Sequence, residues 1–249
     1  MSGIYYPPQY PPQPLYGAPY GEESNNPILT LLMLGALCYI GYVIYKNQTE
    51  KKDDIKKDEG NTLKFKLNSA KSTALNDIGS NENYYLDRHD ITCETKSGIN
   101  KFQYILGDQT KDNTKNQFQY QYTCTNGGDL DDTLRPPITT TTNDAGAGNY
   151  YFLDRHAVAC GSDEILNQFV LKRPDGGKIN YSYNCIKSKK PLTCRKVSTK
   201  KVKTIEADNT KNLKNHNVSC ADDEVLQSFL LKPGDPYTEI GYDYTCCKY

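Results

Sequence analysis

The chain of 249 residues has no tryptophan, only three histidines and only two methionines, and its 30 basic residues are matched by 30 acidic ones. So few histidines leave little material for acid–base work near neutral pH. No Ser/His/Asp or Cys/His grouping appears, so we expect no enzyme, no catalytic residue, no cofactor and no small-molecule substrate. The absence of net charge makes a nucleic-acid partner unlikely on sequence grounds, since such domains are usually strongly basic. Residues 1–26 lack Lys and Arg altogether, so no charged signal-peptide leader is expected there. Phenylalanine is scarce, with six residues against 21 tyrosines. That balance favours strands whose side chains both pack and hydrogen-bond.

What is present falls into distinct stretches. Residues 1–26 form a Pro/Tyr-rich tail, predicted to be extended or disordered, with no core of its own. Within it, Pro7-Pro8-Gln9-Tyr10 fits a PPxY ligand for WW domains through Pro7, Pro8 and Tyr10. Residues 27–45 read as one transmembrane helix. Ile28 to Tyr45 are 18 residues without a charge, about 27 Å as a helix and close to the thickness of a bilayer core. Pro27 sits at the start, where a helix tolerates it, and Tyr39, Tyr42 and Tyr45 form an interfacial belt at one end. Residues 46–61 are a charged linker. The remainder, rich in Tyr, Thr, Asn and Lys in short alternating runs, reads as all-β.

That remainder contains a threefold pattern. Leu86-Asp87-Arg88-His89-Asp90-Ile91-Thr92-Cys93 is followed by Phe102-x-Tyr104 and Tyr120-Gln121-Tyr122-Thr123-Cys124. Leu153-Asp154-Arg155-His156 to Cys160 is followed by Phe169-Val170-Leu171 and Tyr181-Ser182-Tyr183-Asn184-Cys185. Asn215-His216 to Cys220 is followed by Phe229-Leu230-Leu231 and Tyr242-Asp243-Tyr244-Thr245-Cys246. We place the repeats at 62–130, 131–190 and 191–249, each an antiparallel meander whose first strand carries His-x3-Cys. Side chains alternate along a strand, so Val158 and Cys160 share a face, as do Tyr181, Tyr183 and Cys185. Pro174-Asp175-Gly176-Gly177 marks a hairpin turn. Each meander must bury its apolar face on its neighbours, which implies a pseudo-threefold prism or trefoil-like barrel.

The face argument pairs Cys93 with Cys124, Cys160 with Cys185 and Cys220 with Cys246. Cys194 and Cys247 remain and are expected to tie the third unit's first strand to its last. Cys38, inside the apolar run, is left as a free thiol. A metal reading of His-x3-Cys fails on spacing, with one His per unit. The Asp-Arg-His triplets look catalytic, but a triplet repeated per unit reads better as a strand-start feature, such as an Asp–Arg pair holding a loop. Lys187, Lys189, Lys190, Arg195, Lys196, Lys200, Lys201 and Lys203 fall in a run without an acid. This run is either a patch for an anionic partner or a lysine-protected edge strand. Asn180-Tyr181-Ser182 and Asn217-Val218-Ser219 are glycosylation sequons inside predicted strands.

Lys46, Lys51, Lys52, Lys56 and Lys57 follow the apolar run and no basic residue precedes it. Positive-inside logic puts the β region in the cytosol, whereas disulfides call for an oxidising compartment. Large cytoplasmic DNA viruses reconcile the two, because their proteins acquire disulfides from a dedicated oxidase. The Asp-Arg-His…Cys…Tyr-x-Tyr-x-Cys pattern over 83–249 resembles repeats in proteins of algal giant viruses and some protists. It resembles dermatopontin-type disulfide loops more loosely, since the Trp of that family is missing. The first resemblance implies a single-span minor capsid or virion structural protein linking an internal membrane to the shell, with a lipid bilayer and capsid proteins as partners. The alternative is a membrane-anchored adhesin or glycan-binding module at the host cell surface, reached through the secretory pathway, whose tyrosines and loop carboxylates hold sugars.

Overall fold

The computed structural model describes residues 39–46, 64–127, 129–204, 209–234 and 238–249. The chain forms two compact units, Met1–Ile55 and Lys56–Tyr249. In the first, residues 39–46 are helical with exposed side chains. Among the described residues no helix is long and apolar enough to cross a membrane. Most of the expected span (27–38), the PPxY segment, Cys38 and nearly all of the charged linker lie outside the described residues.

The second unit is mostly β, with three antiparallel sheets and four disulfides. Its strands are β1 (Lys66–Ser72), β2 (Asn76–Asp77), β3 (Ile91–Thr92), β4 (Ser97–Leu106), β5 (Gln117–Asn126), β6 (Ile138–Thr139), β7 (Asn143–Asp144), β8 (Val158–Ala159), β9 (Glu164–Lys172), β10 (Lys178–Lys187), β11 (Thr193–Ser198), β12 (Val202–Lys203), β13 (Asn217–Ser219), β14 (Val225–Pro233) and β15 (Glu239–Lys248). The sheets run β1-β5-β4-β13, β6-β10-β9-β3 and β11-β15-β14-β8, with β2, β7 and β12 pairing further along β5, β10 and β15 respectively.

Each sheet is built on one long hairpin: β4–β5, β9–β10 or β14–β15. Alternation does the sorting. In β4, Phe102 and Tyr104 are buried while Lys101 and Gln103 face outward and are only partly covered. The Pro-Asp-Gly-Gly segment makes the β9–β10 turn, with Lys178 N–H donating to Asp175 O at 3.2 Å. The three inner faces meet at three phenylalanines. Phe102, Phe169 and Phe229 form a triangle with ring centroids 4.9, 5.0 and 4.7 Å apart in edge-to-face or tilted contact. A second, smaller cluster of Phe65, Leu130, Ile165, Ile186, Val225 and Cys247 lies apart from this core.

The meander expectation needs correcting. The short strand carrying His-x3-Cys does not pair with the middle strand of its own unit. β3 pairs with β9, β8 with β14, and β13 returns to pair with β4. Each unit thus lends a strand to the next and the exchange closes in a ring. The reason is visible at the middle strands. Each has a β-bulge, at Asn100, Asn167 or Gln227, and bulges re-aim side chains. Asn167 Nδ2 donates to the carbonyls of Cys93, Glu94 and Ser97 at 3.3, 3.1 and 2.8 Å. Asn100 does the same to Ala221 and Glu224, both at 2.8 Å. Gln227 reaches Gly161 and Ser162 at 2.9 and 3.1 Å. The edge of each middle strand is therefore shaped to take its neighbour's corner.

Candidate functional site

The four expected cysteine pairs are the pairs that the structure joins: Cys93–Cys124, Cys160–Cys185, Cys220–Cys246 and Cys194–Cys247. Strand exchange changes what three of them do. Cys160 follows β8, which lies in the third sheet, while Cys185 is on β10 in the second, so the bridge crosses a sheet junction. Cys93–Cys124 and Cys220–Cys246 do likewise. Cys194–Cys247 differs, joining directly opposed residues of β11 and β15 within one sheet.

A 3-10 turn precedes each exchanged strand: Asn83–Arg88, Tyr150–Arg155 and Thr210–Asn215. Its buried leucine, Leu86, Leu153 or Leu213, accepts the backbone N–H of the following histidine, which turns that side chain inward. His89, His156 and His216 are each almost fully buried. Their Nδ1 atoms pair with Thr73, Thr140 and Thr199 Oγ1 at 2.7, 3.0 and 3.3 Å. The same threonine oxygens accept the N–H of Tyr120, Tyr181 and Tyr242 at 2.9, 2.9 and 2.8 Å. All three Nε2 atoms are buried, with no hydrogen-bond partner among the described residues. Burial, with Arg88 nearby, lowers the His89 pKa from 6.5 to about 4. Burial also lowers His156 and His216. Such histidines are neutral, enclosed and out of reach of a substrate.

The neighbouring triplet residues also serve the fold. The Arg88 guanidinium lies 4.4 Å from the centre of the Tyr85 ring and that of Arg155 lies 4.0 Å from Phe152. The Asp–Arg loop clasp expected from sequence is loose, with Arg155 Nε 4.0 Å from Asp154. Of the Tyr-x-Tyr motif, the first tyrosines (Tyr120, Tyr181, Tyr242) are buried with hydroxyl pKa values raised by desolvation. The second ones are buried too. Tyr122, Tyr183 and Tyr244 hydroxyls donate to the carbonyls of Thr92, Ala159 and Ser219 at 3.2, 3.1 and 3.1 Å. These tyrosines form no exposed platform for a sugar.

Cys220, Glu224 and Cys246 gather ligand-type atoms within 4.8 Å. The two sulfurs are bonded to each other, and Glu224 is gripped by Arg195 through two bonds of 2.7 and 2.6 Å, which hold its carboxyl below the usual range. That group is a clasp, not a metal centre. The second sheet has its counterpart in Arg135 and Glu164, 2.7 Å apart.

The basic run is divided. Arg195 is committed to Glu224, and Lys190 pairs with Asp129 at 3.3 Å. Lys187, Lys189, Lys196, Lys200, Lys201 and Lys203 are exposed and make no ion pair among the described residues. Lys196 and Lys203 lie on β11 and β12, at the edge of the third sheet. The sequons also separate: Asn180 is buried and donates to Thr142 Oγ1 at 2.8 Å, while Asn217 is exposed on β13.

Sequence reasoning passed over the threonines and the bulge amides. Both left a trace: the threonines precede their histidines by 16, 16 and 17 positions, and Asn100, Asn167 and Gln227 each stand two before the axial phenylalanine. No family model, curated protein or solved structure matches the chain.

Proposed function

We propose that this protein is architectural: a β body of three copies of one unit, arranged as a pseudo-threefold prism and tethered to a bilayer by residues 27–45. In the reading we favour it is a minor capsid protein that links a virion's internal membrane to its shell. The observation that carries an architectural role is the fate of the repeated polar groups. The histidines, the hydroxyls of Tyr122, Tyr183 and Tyr244, and the bulge amides are spent on joining one sheet to the next, while the Arg195–Glu224 clasp braces the third sheet itself. A closed ring of exchanged strands, riveted by bridges across its junctions, suits a load-carrying part. The 18-residue uncharged run supplies the anchor, and the lysines after it favour anionic headgroups.

Quantitative proteomics of purified icosahedral particles tests the reading. A fixed copy number per particle is expected, together with flotation of the full chain with liposomes and loss of flotation when 27–45 is deleted. Absence from particles removes the virion role; flotation that survives the deletion removes the anchor.

A further inference from the structure

The three sheets match on their inner faces and part company on their outer ones. Beside the axial phenylalanine, the outward positions of the second sheet are bridged, since Gln168 donates to both Asp90 carboxylate oxygens at 2.9 and 2.8 Å. The first sheet places Asn217, Ser219, Lys101 and Gln103 at the corresponding positions. The third sheet has Ala157 and Ala159 there, beside Ser228 and Leu230. These short side chains leave a depression of about 350 Å³ across β8, β14, β15 and β11.

The depression has an apolar floor in Leu230 and the two alanines, and a charged rim. Lys196 stands on β11 and Lys232 on β14, both exposed and neither in an ion pair among the described residues. Lys196 lies opposite Thr245, which lies opposite Ser228, and Lys232 is four positions further along β14. At about 3.3 Å per residue and about 4.8 Å per strand, their backbones are about 16 Å apart, which about four positions of extended chain cover once the long lysine side chains lean inward. Between them sit Asp243 and Ser198, whose hydroxyl donates to Asp243 Oδ1 at 2.7 Å. Asp243 thus offers its second oxygen to an incoming N–H.

We propose that this outer face of the third sheet is a docking surface for an extended acidic segment of a partner protein. One apolar side chain of the segment rests on Leu230, Ala157 and Ala159. Two carboxylates about four positions apart, an even spacing that keeps both on the face of that apolar side chain, meet Lys196 and Lys232, and Asp243 takes a backbone N–H. The geometry argues for a peptide over a polyanion, because a carboxylate in the middle of the site repels a continuous line of phosphates. This assignment rests on the architectural reading and names the chemistry of its protein partner.

The test uses the full chain in nanodiscs and fluorescent decapeptides carrying a Leu between two Glu residues set about three, four or five positions apart, with Gln counterparts; only the even spacing puts both Glu residues on one face of an extended segment. Fluorescence anisotropy is expected to rank the four-position peptide first, at least tenfold tighter than its Gln counterpart. The double variant K196E/K232E should abolish binding, K196R/K232R should retain it, and K101E on the first sheet should leave it unchanged. No ranking by spacing, binding that survives the double reversal, or tighter binding of a single-stranded DNA 15-mer would each overturn the docking surface. Those failures leave copy number in particles untouched, so they are distinguishable from failure of the architectural role.

Discussion

The inner and outer faces of the three sheets obey different rules. Inside, position answers position: Phe102, Phe169 and Phe229 at the axis, then three Tyr–Thr–His sets with buried tyrosines and histidines. Outside, the same register carries Gln103 and Gln121 on one sheet, the Asp90–Gln168 bridge on another, and alanines beside lysines on the third. Closing a ring constrains whatever points inward, because each sheet must fit two neighbours at once. Nothing in that closure constrains what points outward. The difference teaches that the inner faces answer to closure, and that any individuality of function should be sought where the sheets differ.

The comparison breaks most visibly at the axis. Phe102→Ala removes a ring that touches both other phenylalanines and leaves a void where no single sheet can collapse to fill it. A loss of about 3–5 kcal/mol is expected by chemical denaturation. A much smaller loss would mean that the triangle is incidental to closure.

Acid probes the inner faces collectively. All three histidines have folded pKa values lowered by burial, so the folded state binds fewer protons than the unfolded one. Their contribution is complete above the unfolded value of 6.5 and declines as pH falls, with the share of His89 gone by about pH 4. The denaturation midpoint should therefore drop across that window, and substituting Gln for all three histidines should flatten the drop. An unchanged slope in the triple variant would assign the acid sensitivity to carboxylates.

Much of the inner face was legible in the sequence, because alternation ties Tyr181, Tyr183 and Cys185 to one side of a strand whatever its neighbours are. For that reason the cysteine partners were readable. The strand exchange was not, because a segment as short as Val158–Ala159 presents the same pattern to either neighbouring edge. What selects the edge is a bulge amide in another unit, a contact separated by 70 positions or more for Asn167. The histidine environment was hidden for a similar reason, since its threonine partner belongs to a stretch with little pattern of its own. The outer faces were the least legible, because exposed polar positions follow no periodic rule beyond being exposed.

Asn167→Ala sharpens the comparison at a junction. The change strips three carbonyls of their donor without touching the axial rings. A loss of about 1–3 kcal/mol is expected, with faster hydrogen exchange at the Cys93 amide, which donates to Asn167 O at 3.0 Å. Exchange that stays slow there would show that the bridge from Cys93 alone holds the corner.

The smallest effect is the one that defines the outer face. Gln121 points outward from β5, is exposed, and stands between Tyr120 and Tyr122, both buried. Gln121→Ala should shift stability by no more than about 0.5 kcal/mol, although it lies one residue from the Tyr120–Thr73–His89 set. The neighbouring change Tyr120→Ala, on the opposite side of the same strand, should cost several times more. If the two changes cost the same, the division of each sheet into a face that closes the ring and a face free to vary would be wrong, and the third sheet's depression would lose its claim to be read as a surface for recognition.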